Sequence, residues 1–353
     1  MKAIGLLRHG GPEVLEVVER PTPHAGPGEV RIRVRAAAVN PADTLIRAGA
    51  TPIRQRGTEP VIPGLDVAGT IDQIGPGTDT RLAVGDRVMA MVNPTRPAGG
   101  GYAEWVVLPE SWVVPAPAGA SHAEATTLPM NGLTALHALD QLRLPQGSTL
   151  AVTGAAGAVG GYAVQLARAA GHRVLADAAP RDADLVASLG ADGVVARGPG
   201  VADRFRALTP DGVDAVVDAA VIGAPLLTAI RRGGSLAYVR GGPDHAAFER
   251  AAAARGVALV YAYVHDYDGR RDKLDLLRRL ADEGRLSLRV ADTFPPEHAA
   301  QAHRLLAAGG VRGRLVTQFS EPGGDPVEEV SGRAAPGRPR AAGRAGRPAS
   351  PPA

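Results

Sequence analysis

The chain has 353 residues, of which 45% are hydrophobic and 21% charged, values typical of a folded protein of about two domains. Cysteine is absent, which excludes disulfides, thiolate zinc sites, iron–sulfur clusters and cysteine nucleophiles. The net charge is +3, but residues 331–353 carry five arginines and no acid, so residues 1–330 carry −2. With 3% aromatic residues, this body has little of the charge or stacking surface of a nucleic-acid-binding protein.

The sequence contains no pattern that predicts a targeting or membrane segment. Near the N-terminus, Lys2 and Arg8 flank too short an apolar run for a signal peptide. The uncharged stretch 144–167 is rich in Gly, Ala and Thr and contains Pro145, so it is too weakly apolar for a spanning helix. We therefore expect a cytoplasmic protein without a membrane partner.

Residues 1–121 have the pattern of a β-rich unit. In residues 29–34 (Glu-Val-Arg-Ile-Arg-Val) apolar and polar side chains alternate with period two, as in a half-buried strand. Gly/Pro clusters such as 26–28 and 75–77 separate runs of this kind and predict turns. Many short strands joined by such turns are typical of a barrel or a sandwich.

Residues 122–264 change to alternating strand and helix patterns. Helical segments, for example 159–170 and 182–189, fill the gaps between short apolar runs. Six runs predict strands: 149–154, 173–178, 193–197, 214–220, 235–241 and 258–264. Six strands with five crossovers are the number found in a doubly wound nucleotide-binding sheet.

Residues 265–320 return to a mixed pattern, with predicted helices at 273–283 and 301–308 and a closing strand at 313–319. From residue 321 the chain consists mostly of Pro, Gly, Ala and Arg, which cannot bury enough apolar surface to fold, so 321–353 is predicted to be a disordered tail. The basic tail leaves two interpretations open. One is an arm for nucleic acid or another partner, and the other, which we prefer, is a solvated extension.

The strongest local motif is Gly154-x-x-Gly157-x-x-Gly160, which connects a predicted strand to a predicted helix. Glycine permits the tight turn and lets main-chain N–H groups approach a pyrophosphate, while the helix N-terminus adds partial positive charge. At the head of six βα units, this motif predicts a dinucleotide site rather than an ordinary strand–helix turn.

Two side chains near the end of the second strand bear on the choice of coenzyme. Asp177 at the strand tip would bind a ribose 2′-hydroxyl and favour NAD(H). Arg181 could instead pair with the 2′-phosphate of NADP(H). Both residues could also belong to a solvated helix start, so the choice stays open, with NADP(H) preferred.

Several further motifs occur in a characteristic order. They are Val-Asn-Pro-Ala-Asp at 39–43, Pro-Gly-Leu-Asp-Val-Ala-Gly at 63–69, Val-Gly-Asp-Arg-Val at 84–88, Gly-Tyr-Ala-Glu-Trp at 101–105, Gly-Leu-Thr-Ala at 132–135, Leu-Gly-Ala-Asp at 189–192, Gly-Gly-Ser at 233–235 and Val-Arg-Gly-Arg at 311–314. With the glycine loop, they make the chain resemble the zinc-independent quinone oxidoreductases, the zeta-crystallin-like branch of the medium-chain dehydrogenase/reductases. The resemblance spans roughly residues 1–319.

This resemblance implies an α/β protein with two folded domains and an active cleft between them. Residues 1–121 and 265–320 would form a GroES-like β-rich catalytic domain, and 122–264 a six-stranded Rossmann NAD(P)-binding domain. Zinc-dependent relatives have Cys where Asn40 stands and Gly-His-Glu where 64–66 read Gly-Leu-Asp. We therefore expect no metal.

The resemblance also assigns candidate site residues, although no catalytic side chain can be named. Near the substrate and the nicotinamide it places Asn40, Asp43 and Thr134, with Asp43 orienting the Asn40 loop. The predicted coenzyme set comprises Gly154, Ala156, Gly157, Ala158, Val159, Asp177, Ala179, Arg181, Arg197, Val239, Arg240, Gly241, Tyr263, Val264 and Arg312. Arg54 and Arg56, in the loop 49–60, could favour an anionic substrate or be solvated.

Without a Lewis acid, simple alcohol oxidation is disfavoured, and acceptors that delocalise negative charge onto an oxygen are favoured. We therefore expect hydride transfer from NAD(P)H to a quinone or quinone-like small molecule. Reduction of an enal or enone double bond is the alternative, and a low-turnover NAD(P)H-binding sensor is a rival from another class. The apolar sixth strand lies at a sheet edge, which predicts a homodimer.

Overall fold

The structure, a computed structural model, describes residues 1–51, 53, 59–241 and 244–319. The predicted tail 321–353 lies outside the described residues, as do Arg54 and Arg56. The strands are β1 (Lys2–Gly5), β2 (Glu16–Glu19), β3 (Glu29–Val39), β4 (Asp66–Ile74), β5 (Arg87–Met91), β6 (Trp105–Pro109), β7 (Val113–Pro115), β8 (Thr149–Thr153), β9 (Arg173–Ala178), β10 (Gly193–Ala196), β11 (Val213–Asp218), β12 (Ile230–Tyr238), β13 (Ala258–Tyr261), β14 (Val290–Phe294) and β15 (Arg314–Gln318). The α-helices are α1 (Pro41–Ala48), α2 (His122–Ala125), α3 (Pro129–Leu142), α4 (Ala158–Ala169), α5 (Ala183–Ser188), α6 (Val201–Leu208), α7 (His245–Arg255), α8 (Arg271–Asp282) and α9 (Ala299–Ala308).

The second half of the chain forms a six-stranded parallel sheet in the order β10-β9-β8-β11-β12-β13. In chain order this is 3-2-1-4-5-6, the order of a doubly wound dinucleotide-binding sheet. Strand β8 shows why the sheet forms, because Leu150, Ala151 and Val152 are all fully buried, as required when helices cover both faces. The predicted Rossmann fold is confirmed.

Five of the six predicted strands end earlier than expected, and the fifth and sixth end three residues early. The fifth strand stops at Tyr238, before Val239, and the sixth stops at Tyr261 rather than at Val264. After Tyr261 the chain leaves the sheet and forms a short 3₁₀ turn, Val264–Tyr267. Ala262 and Val264 are buried although they lie outside the sheet. The apolar run in the sequence therefore extends past the end of the strand.

The β-rich part forms a seven-stranded sheet in the order β14-β15-β3-β4-β5-β7, with β6 paired to β3. Along β3, Val30, Ile32 and Val34 are buried and alternate with arginines, which explains the period-two pattern in the sequence. Strand β15 returns from the far end of the chain to pair antiparallel with β3. The predicted GroES-like architecture is confirmed, whereas the parallel strand β14 was not predicted.

The two sheets meet around the buried helix α3. Gly132 on this helix allows close packing against α8, since a Cβ there would lie 2.9 Å from the Leu277 side chain. Leucines 274, 277 and 280 of α8 share one apolar core with the parallel sheet and with Met89 and Val114 of the β-rich sheet. The core is therefore continuous between the two parts, and the predicted domain boundaries at 121 and 264 remain predictions.

No helix within the described ranges combines the length and the apolarity needed to cross a membrane. Strand β13 is an edge of the parallel sheet, and the Tyr261 side chain on it is 47% exposed. The cytoplasmic location and the homodimer both remain predictions.

Candidate active site

A cavity of about 460 Å³ lies between the glycine loop, the helix α1 and the ends of β11, β12 and β13. Its lining residues are Pro41, Ala42, Leu45, Thr51, Leu65, Asn93, Thr95, Met130, Thr134, Gly154, Gly157, Ala158, Val159, Gly160, Ala219, Val221, Val239, Arg240, Tyr261, Ala262, Tyr263, Val264, His265 and Arg314. Most of these are apolar or glycine, so the few polar groups define the chemistry of this cleft.

The glycine loop forms one end of the cleft. Gly154 has a φ of +65°, a left-handed conformation that glycine adopts without strain, and Gly157 precedes the first turn of α4. A Cβ at Gly160 would lie 2.3 Å from the Gly154 carbonyl oxygen, so only glycine fits there. Gly157 lines the cavity, and a Cβ there would contact only the Gly154 carbonyl oxygen, at 3.1 Å. The loop and the twelve-residue helix therefore fit a pyrophosphate.

Two charged side chains hold this loop from behind. Asp177 Oδ1 accepts a hydrogen bond from Gly154 N at 2.7 Å. Arg289 donates to the carbonyl oxygens of Ala156 (3.0 Å) and Gly157 (2.6 Å). Arg289 was missed by the sequence analysis, because it lies more than 130 residues from the loop and belongs to none of the quoted motifs.

The adenosine side of the predicted coenzyme site is a second cavity of about 410 Å³, lined by Asp177, Arg197 and the first turn of α6. Arg181 is 73% exposed on the turn that follows β9, and the one ion pair found for it among the described residues is a long one, 3.9 Å, with Asp182. The guanidinium of Arg312 also donates hydrogen bonds to Asp182, and these bonds lower the pKa of the Asp182 carboxyl. Burial raises the pKa of Asp177, and this effect outweighs the hydrogen bond from Gly154 N, which lowers it.

The residues predicted from the sequence fall into three groups, according to which cavity they line. Those that line the main cavity are Thr134, Gly154, Gly157, Ala158, Val159, Val239, Arg240, Tyr263 and Val264. Asp177 and Arg197 line the second cavity. Neither cavity is lined by Asn40, Asp43, Ala156, Ala179, Arg181, Gly241 or Arg312.

Asn40 and Asp43 lie behind the cleft wall. The Asn40 side chain is fully buried and donates from Nδ2 to Asp66 Oδ2 at 2.7 Å. Asp43 accepts from the main-chain nitrogens of Asn40 (2.8 Å) and Gly64 (2.7 Å), the contacts of a residue that positions the loop. Pro41, the next residue after Asn40, is the one that faces the cavity.

Behind this wall runs a buried polar chain that sequence reasoning did not assemble. From Asp66 it continues through Asn40 to Asn131, whose Nδ2 donates to Asn40 Oδ1 at 3.2 Å. The Arg314 guanidinium, which lines the cavity, donates from Nε to Asn131 Oδ1 at 2.9 Å. Burial raises the pKa of Asp66 to about 7 and lowers that of Arg314 to about 10. Asp66 and Arg314 were both present in the quoted motifs, but nothing local showed that they would be connected.

The wall opposite α1 is aromatic. Tyr238, Tyr261 and Tyr263 stack in a row, with ring centroids 5.2 and 5.6 Å apart. Tyr261 and Tyr263 are 47% and 45% exposed, and both line the cavity. Nearby, Val221 has a φ of +58°, a strained conformation for a β-branched residue and one that often marks a functional site.

At the end of this row stands a histidine with a carboxylate partner. The His265 ring meets Tyr263 edge to face, with centroids 5.3 Å apart. His265 Nδ1 lies 3.0 Å from Asp268 Oδ1, and Asn93 donates to Asp268 Oδ2 at 2.8 Å. The sequence analysis named no histidine as a candidate site residue, so it missed this one.

Within the described residues, no three or more His, Asp or Glu side chains are grouped so that they could hold a metal ion. Asp66 stands at the position of the glutamate in the Gly-His-Glu motif of zinc-dependent relatives. Its carboxyl group accepts hydrogen bonds from Asn40 Nδ2 and Met130 N. The site has the donor groups for a dinucleotide, and no metal-ligand set is found among these residues.

Comparison with known proteins gives matches over both parts of the chain. Residues 26–118 match the family model described as the alcohol dehydrogenase GroES-like domain, and residues 189–316 the one described as zinc-binding dehydrogenase. A chloroplast envelope quinone oxidoreductase homolog from Arabidopsis thaliana is 40% identical over 193 residues. That alignment covers 53% of this chain and 57% of the relative, so the chain spans little more than half the length of this curated relative.

Solved structures match over nearly the whole length. A structure described as an NAD-dependent alcohol dehydrogenase is 31% identical, covering 91% of this chain and 100% of its own, with a TM-score of 0.81. A mycobacterial protein solved in complex with NADPH is 30% identical, covering 90% and 100%, with a TM-score of 0.79. The chain therefore belongs to the quinone oxidoreductase branch of the medium-chain dehydrogenase/reductases.

Proposed function

We propose that this protein is a zinc-free, NAD(P)H-dependent oxidoreductase that transfers hydride to a quinone or a quinone-like acceptor. The observation that carries the proposal is that the glycine loop and two exposed, stacked tyrosines face one cavity of about 460 Å³. Flat aromatic faces suit a planar ring, and the loop suits a dinucleotide. The relative named as a quinone oxidoreductase homolog supports the same acceptor.

The bound coenzyme would supply the hydride, and the chain would supply orientation and electrostatics. Arg289 and Asp177 hold the glycine loop in the conformation that presents its N–H groups. Leu65, Met130 and Val264 line the cleft with apolar surface, which excludes water. Arg314 brings a buried positive charge to the wall, where it favours the negative charge that develops on an acceptor oxygen.

For the coenzyme we propose NADP(H) over NAD(H). Arg197 lines the adenosine cavity, and Arg181 is exposed on the turn that follows β9, so two guanidinium groups could approach a 2′-phosphate. Asp177 would oppose that phosphate less than its position in the sequence suggests, because its Oδ1 is bonded to Gly154 N and burial raises its pKa. The mycobacterial structure in complex with NADPH supports this choice.

The test is the initial rate of coenzyme oxidation for NADPH and NADH, each with a simple quinone and a linear enal, with and without a chelator. Chelator-insensitive reduction of the quinone by NADPH is the expected result. Turnover of the enal alone would replace the proposal by double-bond reduction. Coenzyme binding without any turnover would contradict an enzyme of either type and favour a sensor.

We also propose a homodimer, because β13 is an exposed edge of the parallel sheet. Light scattering at micromolar concentration should give twice the mass of one chain. A monomeric mass would contradict this assignment without affecting the proposed activity.

A further inference from the structure

The pair formed by His265 and Asp268 has no role in the site as derived so far. Among the described residues that line the cavity, His265 is the only histidine, and its side chain is 18% exposed. Asp268 Oδ1 is 3.0 Å from Nδ1 of this ring, and its other oxygen accepts from Asn93 Nδ2. Asn93 comes from the opposite part of the chain, 175 residues away, and also lines the cavity.

This arrangement determines which ring nitrogen can act. A carboxylate at hydrogen-bond distance from Nδ1 makes that nitrogen the N–H donor in the pair, and it stabilises the ring when both nitrogens are protonated. Nε2 is then the nitrogen that can give up a proton to a neighbour. Because Asn93 holds the second oxygen of Asp268, the carboxylate cannot turn away from the ring without breaking another hydrogen bond.

Two histidines that are more deeply buried, His303 and His137, do not offer this chemistry. His303 lies between Tyr102 and Arg47, outside the cavity, and burial lowers its pKa to about 3. His137 is buried beneath Tyr267, outside the cavity lining, and burial lowers its pKa. Among the histidines of the described ranges, only His265 combines a carboxylate partner with a position on the cleft.

We propose that His265 is the general acid that protonates the reduced acceptor, and that Asp268 is its positioning residue. This inference rests on the proposed function. The hydride brings two electrons and one hydrogen to the acceptor, whose π electrons move onto its carbonyl oxygen and leave a hydroquinone anion or an enolate. The Nε2–H bond of His265 then breaks, its electron pair stays on the ring nitrogen, and the proton bonds to the anion. The coenzyme is oxidised, the acceptor is reduced, and solvent returns a proton to the ring.

Three charged or titratable groups of the described residues surround the pair. Tyr263 faces the ring from the preceding segment, and the Arg96 guanidinium acts on Asp268 from the loop after β5. Asp266, on the same turn, lies 3.3 Å from His137. The variants tested below leave these three groups unchanged. A pH profile that changes when His265 is replaced is therefore not due to them.

The experiment measures kcat against pH for the wild type, His265→Gln and Asp268→Asn, with NADPH and an electron-rich quinone. The loss of a positioned general acid lowers kcat by about 10²-fold or more. In the wild type kcat should fall with rising pH, because the general acid must carry the proton that it delivers. His265→Gln should remove this dependence, and Asp268→Asn should lower kcat because the ring loses the carboxylate that orients it.

Two controls separate proton delivery from a structural role. The matched variant is His245→Gln, because His245 also has a carboxylate neighbour, Glu249 at 3.3 Å, but does not line the cavity, and its kcat should match the wild type. The second control is a tetrahalogenated quinone, whose hydroquinone anion is stable without a proton. With this acceptor His265→Gln should react at close to the wild-type rate, and NADPH should bind with unchanged affinity in a fluorescence titration.

Normal kcat and an unchanged pH profile in His265→Gln would overturn the inference and leave the proposed function standing. An equal loss of rate with both quinones at every pH would also overturn it, because that result indicates a structural role. If the wild type reduces no acceptor, the proposed function fails and the role of His265 fails with it.

Discussion

Two glycines of the same loop should respond to alanine in opposite ways. A Cβ at Gly160 would lie 2.3 Å from the carbonyl oxygen of Gly154 and 2.6 Å from its carbon. Both are main-chain atoms of a loop that Asp177 and Arg289 hold in place, so they cannot move aside easily. A Cβ at Gly157 would meet only the Gly154 oxygen, at 3.1 Å, and Gly157 is one of the residues that line the cavity.

The magnitudes follow from these contacts. Relief of the clash in Gly160→Ala requires the loop and α4 to separate, and overpacking of this kind reduces the free energy of unfolding by about 1–3 kcal/mol. For a chain of this length that corresponds to a fall in Tm of about 1–5 °C. Gly157 has a φ of −75°, which alanine adopts readily, so Gly157→Ala should change the free energy of unfolding by less than about 1 kcal/mol. Its methyl group would occupy the space of the pyrophosphate and weaken coenzyme binding at least about tenfold, equivalent to about 1.4 kcal/mol.

Thermal unfolding and a fluorescence titration with NADPH, performed on both variants, test this reasoning. Gly160→Ala should lose stability, whereas Gly157→Ala should lose affinity with its Tm nearly unchanged. If Gly157→Ala binds NADPH as the wild type does, the glycine loop does not hold the pyrophosphate. If Gly160→Ala has the wild-type Tm, the close approach to Gly154 is not a packing constraint.

Three further predictions concern charge and recognition. Burial raises the pKa of Asp43 and Asp66 from 3.8 to about 7, so the folded chain holds protons there that the unfolded chain has released. The free energy of unfolding should therefore fall as pH rises from about 4 to about 7 and change little beyond; urea denaturation across this range measures it, and Asp66→Asn should have a shallower slope. Arg197→Gln should raise the KM for NADPH at least about tenfold and leave the KM for NADH nearly unchanged, because only a 2′-phosphate gains from the guanidinium; an equal change for both coenzymes would contradict this role. Tyr263→Ala should raise the KM for a quinone by about threefold to tenfold, the loss of one aromatic stacking contact, but not the KM for a linear enal in steady-state assays; a parallel rise would mean that the tyrosine only shapes the cleft.

Local sequence patterns were sufficient for much of the fold. The glycine loop could be placed because its function needs glycine at three fixed spacings between a strand and a helix. The parallel strands could be counted because strands buried on both faces are short apolar runs. Their ends were less well predicted, as the sixth strand shows, since Ala262 and Val264 are buried by a turn rather than by the sheet.

The direction of individual side chains was beyond prediction. The place of Asn40 beside the nicotinamide remains a prediction, but the sequence did not show that its amide would be buried against Asp66 and Asn131. Motif position determines where a residue lies along the chain, whereas its rotamer depends on partners that come from other elements. Those partners become neighbours only when β4 and α3 pack together.

What the sequence by itself determined about this protein is its class of fold, the glycine loop and the absence of cysteine ligands, all of which depend on composition or on residues close together in the chain. Only the tertiary structure decided which polar groups share the cleft. Arg289 reaches the loop across 133 residues, and Asn93 reaches Asp268 across 175. The physical reason is that hydrogen bonds between distant segments form only after the two sheets and α3 have packed, and no short-range pattern records them.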